Sequence, residues 1–308
     1  MTTLIQSHRN QATIHYRSVA LIVPSVPTSD GAGVRINRAL GIPALQMLDP
    51  FLLLDIFHSD QPQDYLAGFP DHPHRGFETV TYVLAGRVRH EDSNGHIGVV
   101  EPGGVQWMTA GRGIVHSEMP EQTDGLLRGF QLWINLPATE KMNPPRYQEF
   151  NASEIPMEQR SPNVQVRVIA GQTSLGSQGP VQPGTTEPIY LDVAIAPNES
   201  APPNSVSNAV FSETLPTSHT AFLFVYDGHI NVHADDSRPG QRVEAGTLAV
   251  LGAGHQIHVR ADTDGGKFLL IAGKPLNEPV AWSGPFVMNT EAEVLQAYRD
   301  YQTGNFQS

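Results

Sequence analysis

Two stretches far apart in the chain follow one grammar. Thr79-Val80-Thr81-Tyr82-Val83-Leu84 runs through Ala85-Gly86 into Arg87-Val88-Arg89-His90, and Ala221-Phe222-Leu223-Phe224-Val225-Tyr226 runs through Asp227-Gly228 into His229-Ile230-Asn231-Val232-His233. Apolar and polar residues alternate with period two in the first stretch, as a half-buried strand requires, and a glycine supplies each turn. With Tyr82 to Gly86 laid on Phe224 to Gly228, Pro102-Gly103-Gly104 falls on Ala245-Gly246-Thr247, and Gln106 to Gly113 falls on Ala249 to Gln256. A repeat of about half the chain, written in short strands, predicts an all-β protein of two similar jelly-roll-like β-barrels in tandem. The 28 Gly and 25 Pro among 308 residues suit many tight turns better than long helices.

Asn135-Leu136-Pro137-Ala138-Thr139-Glu140-Lys141-Met142-Asn143-Pro144-Pro145 separates the blocks and, continued to Pro156, reads as a linker. The expected domains are residues 18–150 and 157–308, preceded by a loose polar extension over residues 1–17. A short C-terminal helix is expected where Thr290 and Glu293 form a capping-box pattern and Val294, Leu295 and Tyr298 make an apolar stripe ending near Gly304.

Composition narrows the function. A net charge of −12, with Lys and Arg scattered singly, repels phosphate backbones and argues against direct nucleic-acid binding. With no cysteine, disulfides, thiolate ligands and thiol chemistry are excluded. The apolar run Val19 to Val23, stopped by Pro24, is too short to span a membrane and weak as a signal-peptide core. A soluble cytoplasmic protein is expected, nuclear as well in a eukaryote.

The chemistry concentrates in Phe69-Pro70-Asp71-His72-Pro73-His74-Arg75-Gly76 and Thr109-Ala110-Gly111-Arg112-Gly113-Ile114-Val115-His116-Ser117-Glu118-Met119-Pro120. In extended chain, residues i and i+2 share a face, so His72 with His74, and His116 with Glu118, can all face one barrel interior. A single His-x-His is common by chance; two such pairs in separate glycine-bounded strands are not. Three imidazoles and a carboxylate suit one divalent Fe, Mn, Co, Ni, Cu or Zn ion, and spacing alone does not choose among them. At the matching positions the second barrel has Val259 and Ala261, and near the first pair Thr214 and Pro216, so no metal is expected there. His90, His96, His229 and His233 sit beside Asp, Asn or Gly and read as solvated; His255 and His258 have no carboxylate at matching spacing. Phe69, Met108 and Phe130 are candidates for an apolar pocket over the metal, with core packing as the alternative. Gln131 can bond a substrate or alternate outward, and Arg75 can neutralise an anion or pair with Glu78.

Phe69 to Leu84, Gln106 to Pro120, and Gly284-Pro285-Phe286-Val287-Met288-Asn289-Thr290 resemble the pirin family of two-barrel cupins. Leu48-Asp49-Pro50-Phe51-Leu52-Leu53 and Gln131-Leu132-Trp133-Ile134-Asn135-Leu136 add to the resemblance, which covers roughly Gly33 to Thr290. It implies two tandem cupin barrels and Fe(II) held by His72, His74, His116 and Glu118. It also implies quercetin 2,3-dioxygenase activity on an aromatic small molecule with O2, with Glu118 as ligand and proton acceptor. Family precedent offers an alternative: an iron-dependent, redox-sensitive regulator that binds a transcription factor or a metabolic enzyme.

Overall fold

The computed structural model describes residues 14–197, 206–235 and 238–307. Among these residues the regular structure is mostly antiparallel strand, with one α-helix, Glu291–Gln302. Most of the expected N-terminal extension lies outside the described residues. Its end, however, is not loose: Arg17 is 2% exposed and donates to the Pro216 carbonyl at 2.7 Å.

The first barrel joins two sheets. One runs, in spatial order, Arg146–Phe150, Val105–Thr109, Phe77–Ala85, Leu127–Asn135, Phe51–Ser59, Val34–Leu40 and Val26–Asp30. The other runs Phe69–His74, Ile114–Pro120, Val88–Asp92 and Ile97–Val100. Val34, Ile36, Val83 and Leu127 from the first sheet cluster with Val88 and Val100 from the second, which closes the barrel at one end. Because Arg146–Phe150 pairs with Val105–Thr109, the stretch expected to be a linker contributes a strand to this barrel.

The second barrel repeats the plan around Thr220–Val232, which pairs with Thr247–Leu251 and Gly266–Gly273 and then runs on to meet Gln241–Glu244 and Gln256–Asp262. The matched turns agree in conformation: Gly103 and Gly246 both have φ near 79°, in the left-handed region where glycine carries no Cβ penalty. The run Ala221 to Val225 is apolar without a break because both of its faces are buried. Leu223 and Val225 point into the second barrel's own core. Phe222 and Phe224 point the other way, against Phe51, Tyr82 and Phe130 of the first barrel. Burying each of these aromatic rings contributes roughly 2–3 kcal/mol. Asp192 fastens the contact by accepting from both Tyr82 and Tyr226 hydroxyls, each at 2.6 Å.

The chain ends cross over, which redraws the expected division at 18–150 and 157–308. Val19–Pro24 pairs with Thr247–Leu251 in the second barrel's sheet. The hairpin of Ala281–Ser283 with Phe286–Met288 returns to the first barrel, where Phe286 bridges Arg75, and the helix follows it. The capping box forms as read, with Glu293 N–H donating to Thr290 Oγ1. The helix buries Val294 and Ala297 and leaves Leu295 exposed.

Candidate metal centre

Phe69–His74 is the outer strand of its sheet, which is why it tolerates Pro70 and Pro73. Its antiparallel partner Ile114–Pro120 sets Ile114 opposite His74 and His116 opposite His72. The period of the strands then turns His72, His74 and His116 to the same side. Their ring centroids stand 4.4–5.1 Å apart, and one nitrogen from each lies within 4.8 Å of the others. His74 and His116 are buried and His72 is half-buried.

Each imidazole is held as a ligand would need to be. His72 Nδ1 lies 2.9 Å from the Pro70 carbonyl, which can only accept, so the proton sits on Nδ1 and Nε2 keeps its lone pair. The Pro285 backbone bonds to the His74 ring, while His74 Nδ1 is buried with no hydrogen-bond partner. Both ring nitrogens of His116 are buried and unpartnered. Burial, together with the neighbouring imidazoles, pushes His74 well below its ordinary value; burial pushes His116 down to about 4, although Glu118 opposes it. These rings are therefore neutral near pH 7. Leaving such nitrogens unsatisfied costs about 1–3 kcal/mol each, and a cation bound by their lone pairs offsets that cost. The donor set fits a divalent borderline ion.

Glu118 stands outside this 4.8 Å grouping. Its carboxylate is clamped: Thr81 Oγ1 donates to Oε1 at 2.9 Å and Gln131 Nε2 donates to Oε2 at 2.7 Å. Trp133 Nε1 in turn donates to Gln131 Oε1 at 3.2 Å, fixing which way the amide faces. Thr81 and Gln131 are direct cross-strand partners. Thr81 and Trp133 carry no signal of this role in the sequence, because it exists only once Phe77–Ala85 has paired with Leu127–Asn135.

A groove of about 790 Å³ opens beside the histidines, walled by Phe69, His72, His74, Gln131, Trp133 and Trp282, with Arg38 and Asp30 at its side. A narrower apolar cavity behind it is lined by Ile36, Phe57, Tyr65, Phe69, Leu127, Glu118 and Gln131. Phe69 and Gln131 thus lie on the walls. Three other candidates do not. Phe130 is fully buried between the barrels, its ring 5.4 Å from that of Tyr226. Met108 lies across from Thr79, on the face that also carries Thr81, but is fully buried against Ala110 and Ile114 and reaches neither wall. Arg75 is 3% exposed and pairs with Asp300 at 2.7 Å rather than with Glu78; it also donates to the Arg112 and Phe306 carbonyls. Glu78 accepts from Thr109 instead. Trp282, unremarked in the sequence, arrives from the far end of the chain, its ring 6.0 Å from that of Trp133.

Tandem antiparallel barrels, one with a histidine cluster inside and one filled by side chains such as Val259 and Ala261, define a two-domain cupin. The chain belongs to the pirin family: the Pirin family model matches residues 33–134, and the Pirin C-terminal cupin domain model matches residues 205–307. It is 51% identical to a pirin-like protein of Caulobacter vibrioides over 94% of this chain and 99% of that one. It is 43% identical to human pirin over 93% and 92% of the two chains. Among solved structures, a quercetin 2,3-dioxygenase from Acinetobacter baumannii superposes with a TM-score of 0.83 at 32% identity, over 95% of this chain and 99% of that one. Among the described residues, no helix is long and apolar enough to cross a membrane.

Proposed function

We propose that this protein is a metal-dependent dioxygenase that opens the ring of a flavonol such as quercetin with O2 and releases carbon monoxide. The observation that carries the reading is a cluster of three imidazoles, two of them buried and neutral with unpartnered ring nitrogens, opening onto an aromatic-walled groove. His72, His74 and His116, with Glu118 as fourth ligand, hold one divalent ion, Fe(II) by family resemblance. When bound, the ion lowers the pKa of a coordinated phenolic hydroxyl and makes the ring electron-rich toward O2. The remaining work belongs to the chain. Trp133 and Trp282 flank a planar aromatic ring at the groove wall. Glu118, kept in one orientation by Thr81 and Gln131, takes the proton of the flavonol 3-hydroxyl on its carboxylate. Ile36, Phe57 and Leu127 line the inner cavity with hydrocarbon and keep water from the anion so formed.

The test is aerobic turnover of quercetin by iron-loaded protein with carbon monoxide measured. Carbon monoxide produced by wild type and lost in His74→Ala supports the reading. Wild-type output no greater than that of His74→Ala overturns it.

A further inference from the structure

His90 is not the solvated residue its neighbours in sequence suggest. It is 2% exposed, on strand Val88–Asp92, and faces Glu149 of strand Arg146–Phe150. His90 Nε2 lies 2.8 Å from Glu149 Oε1, and His96 Nε2, from the turn that follows, lies 3.0 Å from the same oxygen. One ligand atom from each of the three lies within 4.8 Å of the others, a second such grouping beside that of His72, His74 and His116. Despite its closeness to Glu149, His90 Nε2 makes no hydrogen bond: nitrogen and oxygen are near one another without pointing at one another. Three further features shape the place. Gly98 pairs with His90 across the hairpin, and a Cβ there would stand 2.3 Å from His90 Nε2 and 3.1 Å from Glu149 Oε2, so the space between them is kept open by glycine. Gln106 donates to Glu149 Oε1 at 2.9 Å and orients the carboxylate. The Tyr147 ring stacks on both imidazoles, 4.4 Å from His96 and 5.8 Å from His90.

We propose that His90, His96 and Glu149 form a second divalent-cation site of zinc class in the first barrel. Two imidazoles and a carboxylate are the borderline ligands that Zn(II) takes, and three protein ligands leave a fourth position for water. Ligand atoms about 2.1 Å from a tetrahedral ion stand roughly 3.4 Å apart, so the two nitrogen–oxygen separations of 2.8 and 3.0 Å need open by only about half an ångström. His96 and Glu149 keep side-chain exposures of 39% and 32%, which gives an ion a path from solvent. The bound ion ties the hairpin of Val88–Asp92 and Ile97–Val100 to the barrel's outer strand. Val88–Asp92 also pairs with Ile114–Pro120, setting His90 opposite Glu118 and Asp92 opposite His116, so this clip braces the sheet that carries the first centre. The proposal does not rest on the dioxygenase reading.

The test titrates Zn(II) into metal-stripped full-length protein against a chromophoric chelator, for wild type, His96→Ala, Glu149→Gln and His74→Ala. Circular dichroism of the metal-free variants checks that each is folded; His96 is exposed enough for its loss to spare the fold. Two equivalents per chain in wild type, falling to one in His96→Ala and in Glu149→Gln, are expected. A single equivalent in wild type overturns the proposal, as does retention of both by His96→Ala. Because His74→Ala removes the first centre alone, failure of either site is read separately from failure of the other.

Discussion

Replacing Lys141 by methionine probes the knot beneath the first centre. Its Nζ is buried, with the residue 1% exposed, and donates to the Gly76 carbonyl at 2.7 Å, to Asn135 Oδ1 at 2.6 Å and to the Val287 carbonyl at 2.9 Å. Gly76 follows His74 by two residues, and Val287 follows the Pro285 that bonds to His74, so one ammonium joins both backbones that position the ligand. Methionine fills much of the volume but leaves three acceptors unpaired. Leaving buried acceptors unpaired costs about 1–3 kcal/mol each, a large part of the 5–15 kcal/mol that ordinarily separates folded from unfolded chains. The wild type also has a pH signature. Burial pushes Lys141 down to about 7 from its ordinary 10.5. Between those values the unfolded chain carries a proton that the folded one lacks, so stability rises with pH by up to about 1.4 kcal/mol per unit. Urea unfolding from pH 7 to 9.5, followed by tryptophan fluorescence and circular dichroism, measures both effects. The gap between wild type and Lys141→Met is expected to widen by roughly 2–3 kcal/mol over that range. A gap that stays flat refutes the reasoning: the three acceptors then hold the ammonium charged against its burial.

Two further outcomes follow from the site's supports. Gln131→Met removes the 2.7 Å donor to Glu118, a bond to a charged group worth about 1.5–3 kcal/mol, and is expected to weaken metal binding roughly 10- to 100-fold. Chelator competition in a His96→Ala background, which isolates the first centre, measures it; affinity within twofold of the parent counts against a positioning role. Because Thr81 holds the same carboxylate, adding Thr81→Val should cost less than the sum of the single effects. Asp300→Asn loosens the C-terminal helix. Arg75 holds Asp300 below the usual carboxylate range, so its contribution is complete above about pH 4 and fades as pH falls below that. Amide exchange over Glu291–Gln302, corrected for its intrinsic pH dependence, should lose protection progressively as pH falls below about 4 in wild type. In Asp300→Asn that loss should already be present at pH 6, and unchanged protection there would rule the ion pair out as the anchor.

What could be read along the chain and what could not divide by the range of the interaction. Strand alternation and glycine turns are properties of neighbouring residues, so tandem barrels were legible; so were the His-x-His and His-x-Glu spacings, each confined to one strand. The roles of Thr81 and Gln131 depend on a pairing between residues 50 apart. Arg75 reads as a groove residue next to two histidines, yet its partners are Asp300 and Phe306, brought by a segment that crosses back from the second barrel. The same crossing supplies Trp282 to the groove and Pro285 to His74. His90 was misread for a related reason. Its sequence neighbours are polar, but Gly98 packs against it from one other strand and Glu149, held by Gln106, faces it from another. A ligand's spacing is fixed within a strand; its orientation, burial and access are fixed by strands that meet it only in the folded barrel. Perturbing those distant supports, rather than the histidines themselves, is therefore the sharper way to separate a metal centre from a chance cluster.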